Sequence, residues 1–97
     1  MKKEFDEDYL ERKAEFLRAL GGTMRLKLLD IIGTKKVCVG EIMKQLNVPQ
    51  PNISQHLTIL RNAGILSKKR EGRAVCYKIT NPKILDLVKS VDELLKK

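Results

Sequence analysis

A mainly α-helical single domain with a small β-hairpin, in the order α-α-β-α-α-β-β-α, is the fold predicted by these 97 residues. Three observations point to it. Apolar residues recur at three- and four-residue intervals in five segments, the period of a helix with one buried face. Two short extended runs meet at Glu71-Gly72, a pairing that favours a tight hairpin turn. The chain, residues 1–97, is long enough for one modest core and no second domain, and cores of this size often gain burial by pairing with another copy.

The elements follow in order. Phe5, Tyr9, Leu10, Phe16, Leu17 and Leu20 share one arc of a helical wheel, which predicts a first helix over about residues 6–19, stopped by Gly21-Gly22. Thr23 is placed to cap a second helix in which Met24, Leu28, Leu29, Ile31 and Ile32 share a face up to Gly33. Both faces are expected to meet the core. Residues 36–39 are short and β-branched; if extended, Val37 and Val39 point one way and Cys38 the other. A short third helix turns Ile42, Met43 and Leu46 inward, and Asn47-Val48-Pro49 makes a turn. The fourth helix covers about residues 50–63, with Ile53, Leu57 and Leu60 on its buried face and Gly64 at its end. Runs 65–70 and 73–79 form the hairpin. The last helix opens on Asn81-Pro82, a cap followed by proline, and carries Ile84, Leu87, Val88, Val91, Leu94 and Leu95 on one stripe.

Composition excludes several classes. Apolar residues at 42% and charged residues at 33% suit a folded soluble domain. No apolar run approaches the length of a membrane span, so no membrane partner is expected. Residues 1–8 are of mixed charge, without the apolar core or cleavage site of an export signal, and a cytoplasmic location follows. In such a compartment Cys38 and Cys76 are free thiols or a switch, because cytosol keeps most thiols reduced. No nucleophile, base and orienting group form a set, and neither a phosphate-cradling glycine loop nor a complete metal motif is present. The sequence therefore predicts neither an enzyme nor a bound metal or cofactor.

Charge placement is the first functional signal. Between Thr34 and Lys78 lie nine basic residues against two acids, so that segment holds seven of the chain's eight net positive charges. Concentrated positive charge favours a polyanion, because neutralised phosphates release condensed counterions. Two short helices joined by a tight turn, the second with a polar outer face and followed by a basic hairpin, describe a helix-turn-helix with a wing. Gln50, Asn52, Ser54, Gln55 and Thr58 are candidates to read base edges in double-stranded DNA or to position the helix. Lys44, Arg61, Lys68, Lys69, Arg70 and Arg73 are candidates for phosphate or minor-groove contact. A solvated helix face or a merely soluble hairpin would explain each feature singly; their adjacency in this order favours DNA.

The segments Phe16-Leu17-Arg18-Ala19-Leu20-Gly21, Arg25-Leu26 with Leu29, Leu46 through Leu57, Leu60 through Leu66, and Arg70-Glu71-Gly72-Arg73 with Tyr77 resemble the ArsR/SmtB family of winged-helix repressors. The resemblance covers about residues 16–81. It implies a homodimer paired through the first and last helices, with recognition helices entering successive major grooves of an inverted-repeat operator. Both terminal helices carry apolar stripes wider than a three-helix core requires, which agrees. Pro49 departs from the family pattern, which usually has a capping serine there. His56 borders the buried stripe of the fourth helix, so packing and DNA contact are both open to it.

The resemblance also frames the regulatory input. Family members often bind a metal or arsenic through Cys-x-Cys-x-x-Cys at the start of the third helix, and only Cys38 of that pattern is present. A second family site pairs Asp and His on the last helix, which here has Asp86, Asp92 and Glu93 without histidine. A thiol switch is the alternative to these sites. If residues 36–39 pair with 73–79, alternation places Val37, Val39, Val75, Tyr77 and Ile79 inward, with Cys38 and Cys76 together on the outer face. Opposed residues come within the roughly 4.4 to 6.8 Å Cα separation of disulfides. Lys35, Lys36, Lys78 and Lys69 would favour thiolate and reactivity toward an oxidant, reactive sulfur or another small inducer. Two small side chains that merely fill a sheet are the plainer alternative. A metal- or arsenic-responsive repressor with a non-standard site and a winged-helix protein-interaction module are the competing functions.

Overall fold

A computed structural model describes residues 2–96. Helices α1 (Glu7–Leu20) and α2 (Thr23–Ile32) lead into strand β1 (Val37–Cys38) and helices α3 (Val39–Gln45) and α4 (Gln50–Asn62). Strands β2 (Leu66–Glu71) and β3 (Ala74–Ile79) follow, then helix α5 (Lys83–Leu94). The three strands form one antiparallel sheet in the order β1-β3-β2. The predicted element order is the observed one.

Local chemistry sets the boundaries. The Asp6 carboxylate accepts from Tyr9 N at 3.1 Å and caps α1. Thr23 does not cap α2: extended Gly22 takes the cap position, its carbonyl accepts from Leu26 N at 2.9 Å, and Thr23 is already helical. Strand β1 is shorter than residues 36–39 because the Glu41 carboxylate accepts from Cys38 N at 3.4 Å and starts α3 at Val39. The hairpin turn is shifted by one residue from the expected pair. Glu71 pairs with Ala74, leaving Gly72-Arg73 as the loop, and only Gly72 has positive φ, 62°. That sign pattern is that of a type II′ turn, whose twist matches the flanking strands. Asn81 Oδ1 accepts from Lys83 N at 2.9 Å and Pro82 is helical in φ and ψ, as a cap followed by proline requires.

The core lies between α2, α3, α4 and the sheet. Leu28, Leu29 and Ile32 of α2, Ile42 of α3, Ile53, Leu57 and Leu60 of α4, and Ile65, Leu66, Tyr77 and Ile79 are buried together. The terminal helices reach it only in part. The first helix, expected to meet the core, does so only at its end: α1 buries Ala19 and Leu20 and leaves Tyr9, Leu10 and Leu17 exposed, with Phe5 exposed just before it. Helix α5 buries Ile84 alone; Leu87 and Val91 are each 45% exposed, and Leu94 80%. An apolar stripe on each terminal helix is thus left uncovered within one chain. Among the described residues, no helix is long and apolar enough to cross a membrane.

Candidate nucleic-acid interface

Helix α4 begins without a side-chain cap. Pro49 occupies the cap position, and its carbonyl accepts from Asn52 N at 3.1 Å and from Ile53 N at 3.4 Å. The serine usual in similar proteins would have little left to do here. The second helical residue, Pro51, has no N–H, and the third, Asn52, already has a partner. Gln50, Pro51, Asn52, Gln55 and Thr58 are exposed around the first turns, opposite buried Ile53, Leu57 and Leu60. Ser54 is half-buried, and the Thr58 hydroxyl donates to its carbonyl at 2.9 Å, so Thr58 presents its oxygen chiefly as an acceptor. The positive end of the α4 dipole lies at the same turn. Exposed Lys44 lies in the last turn of α3, ahead of this turn, and exposed Arg61 in the last turn of α4, at the opposite end of the helix.

The wing splits its cations between two faces. Lys68 stands opposite Tyr77 and Arg70 opposite Val75, on the core side of the sheet, where α4 packs against β2. Lys69 stands opposite Cys76 on the other side, and Arg73 is at the tip. All four are exposed. Glu71, the wing's one acid, accepts a hydrogen bond from Lys36 Nζ, with Lys69 Nζ at 3.9 Å. The hydrogen bond and charge of Lys36, helped by the charge of Lys69, hold the Glu71 carboxyl below the ordinary carboxylate range. The pair ties the wing to the segment before β1.

Cys38 and Cys76 are directly opposed across β1 and β3, as alternation predicts, and are joined in a disulfide with Cα atoms 3.7 Å apart. Their outer face is not an open one. Cys76 is fully buried, because β3 is the central strand, flanked on both sides and packed by α3; Cys38 is half-buried. Lys36, expected to activate a thiol, is committed to Glu71. Among the described residues, no three His, Cys, Asp or Glu side chains converge as a metal site would need.

Sequence reasoning missed one contact at this surface. The Arg25 guanidinium donates from Nε to Ala19 O at 2.6 Å and from Nη2 to Arg18 O at 3.2 Å, and lies 3.2 Å from His56 Nδ1 through Nη1. Half-buried His56 therefore faces α2. No local pattern announces a pairing across 31 residues.

A polar helix face beside a basic two-stranded wing, carried on α2, α3 and α4, defines a winged helix-turn-helix protein. Residues 24–68 match the family described as bacterial regulatory protein, arsR family. The chain is 39% identical over 85 residues to an uncharacterized HTH-type transcriptional regulator of Methanocaldococcus jannaschii, covering 87% of this chain and 96% of that one. It is 34% identical to the transcriptional repressor PagR of Bacillus anthracis over 88% of this chain and 86% of the other. Its fold is shared with a homodimeric winged helix-turn-helix DNA-binding domain from Mycobacterium bovis, at 24% identity and a TM-score of 0.82, covering 100% of this chain and 96% of that one. The chain belongs to the arsR family of regulatory proteins.

Proposed function

We propose that the protein is a dimeric transcriptional repressor that binds an inverted-repeat operator, with the Cys38–Cys76 pair as its redox-sensitive input. The observation that carries the DNA reading is the exposed polar face of α4 next to a wing bearing Lys68, Lys69, Arg70 and Arg73. In this reading Gln50, Asn52, Ser54, Gln55 and Thr58 meet or position base edges, and Lys44, Arg61 and the wing cations meet phosphates or the minor groove. The uncovered stripes of α1 and α5 supply the dimer contact, which the homodimeric Mycobacterium domain of the same fold supports, while the repressor name of the Bacillus relative supports repression.

Selection of bound duplexes from a random pool tests the reading, with palindromic sites as the expected result. Gln55→Ala should then relax preference at one base pair of each half-site, by about 1–3 kcal/mol, while leaving other positions unchanged. Recovery of no preferred sequence even at low salt would overturn the proposal.

The switch operates through half-buried Cys38. A hydroperoxide oxidises the Cys38 thiol to a sulfenic acid and leaves as the alcohol; the Cys76 thiol attacks that sulfur, forming the disulfide and expelling water. The bond ties β1 covalently to β3, the central strand of the wing sheet, which restricts how the wing settles against DNA and lowers operator affinity. Wild-type protein is expected to release the operator on diamide treatment and regain it with a thiol reductant. Cys38→Ser should bind equally under both conditions, at the reduced wild-type level. Equal binding by oxidised and reduced wild-type protein would sink the switch and leave the DNA reading intact.

A further inference from the structure

The Arg25–His56 contact joins two parts of the molecule that perform different tasks. Arg25 leaves the first turn of α2 and its guanidinium closes the end of α1, donating to the carbonyls of Arg18 and Ala19 rather than to an acidic partner. The remaining arm meets His56 Nδ1 on α4. Among the described residues this is the one side-chain hydrogen bond between α4 and another helix. The seat is built to size: a Cβ on Gly22 would lie 3.0 Å from Arg25 Cζ and 3.1 Å from Nη2, so any larger residue there would crowd the guanidinium. Acceptance by Nδ1 requires the neutral imidazole with its proton on Nε2.

Helix α1 presents one of the two uncovered apolar stripes, and α4 presents the polar face. In a symmetric dimer the distance and rotation between the two α4 helices depend on how each is held relative to its dimer-forming helix. Apolar packing along Leu57 and Leu60 fixes how deeply α4 sits, yet it is non-directional and tolerates small rotations about the helix axis. A planar guanidinium held at three points is directional.

We propose that Arg25 is a positioning residue that sets the orientation of α4 relative to α1, and so determines the half-site spacing the dimer accepts. The proposal rests on the operator-binding dimer reading above. Adding one base pair between half-sites translates one of them by about 3.4 Å and rotates it by roughly a tenth of a turn, which a rigidly held pair of helices rejects.

The test uses inverted repeats with one fixed half-site sequence and spacers varied one base pair at a time, bound by wild-type protein, Arg25→Lys, His56→Ala and His56→Asn. Lysine keeps the charge and loses the fork; asparagine keeps an acceptor near the place of Nδ1. Wild-type protein should prefer one spacer by about tenfold over its neighbours, and Arg25→Lys and His56→Ala should reduce this to less than about threefold. Dimerisation and affinity for an isolated half-site should stay within about twofold of wild type, and His56→Asn should restore the spacer profile. These readouts separate positioning from general loss of structure. Should Arg25→Lys fail to fold, His56→Ala decides the question. A folded, dimeric His56→Ala that keeps the wild-type profile overturns the role of this contact, whereas wild-type protein that selects no inverted repeat overturns the operator reading itself.

Discussion

Leu87→Glu together with Val91→Glu in α5 is expected to convert the protein into a monomer and to lower operator affinity by about 10²- to 10⁴-fold. Each side chain is 45% exposed in the single chain, so the substitutions remove little from its own core. In a two-fold dimer each change appears twice, and four carboxylates would have to be buried against apolar partners. An unpaired charge so placed costs several kcal/mol after relaxation, or must take up a proton. Operator affinity follows because tethering two recognition helices makes the second half-site encounter intramolecular, and a monomer loses that gain. Sedimentation velocity checks the first part and fluorescence anisotropy on the selected operator the second. A variant that stays dimeric would show that the α5 stripe is not the contact. A monomer with full operator affinity would show that the two half-sites are not read together.

The second large effect is on salt dependence. Arg70→Ala with Arg73→Ala removes four cations from a dimer, and the slope of log K against log salt should become shallower by about 3–4 units if each contacts one phosphate. Affinity near physiological salt should fall on the order of a hundredfold or more, and by the same factor for operator and random DNA. That uniformity distinguishes the wing from Gln55, whose loss alters sequence preference with little change in slope. Both arginines are exposed, and neither has an ion-pair partner among the described residues, so protein stability should be nearly unchanged. A titration from about 50 to 200 mM salt reads the slope directly. An unchanged slope would remove Arg70 and Arg73 from the DNA-contacting surface.

Much of this architecture is legible in the order of the residues. The buried faces of α2 and α4 follow the helical period, and Asn81-Pro82 sets the start of α5 by its own hydrogen-bonding chemistry. The opposition of Cys38 and Cys76 is legible too, because side chains alternate strictly along a strand and one face of the sheet has to be apolar. At the element boundaries the differences between expectation and structure are small and local. Thr23 has the chemistry of a cap, but Gly22 is already extended and takes the position. Glu71-Gly72 has the composition of a turn, but pairing continues to Glu71 and the loop falls on Gly72-Arg73.

Residue order alone thus dictates each element's type, its buried side where the core is continuous, and the concentration of charge between α2 and α5. These depend on interactions over a few residues, or on sums that need no geometry. That the stripes of α1 and α5 stay uncovered is a tertiary result, since a helical wheel gives the direction of an apolar face and not whether anything lies opposite it. Three-dimensional packing likewise decides that Cys76 is fully buried, that Glu71 holds Lys36, and that Arg25 reaches His56. Those pairings span 31 residues or more, and no local periodicity encodes them; they exist because the core brings α2 against α4 and β1 against β3.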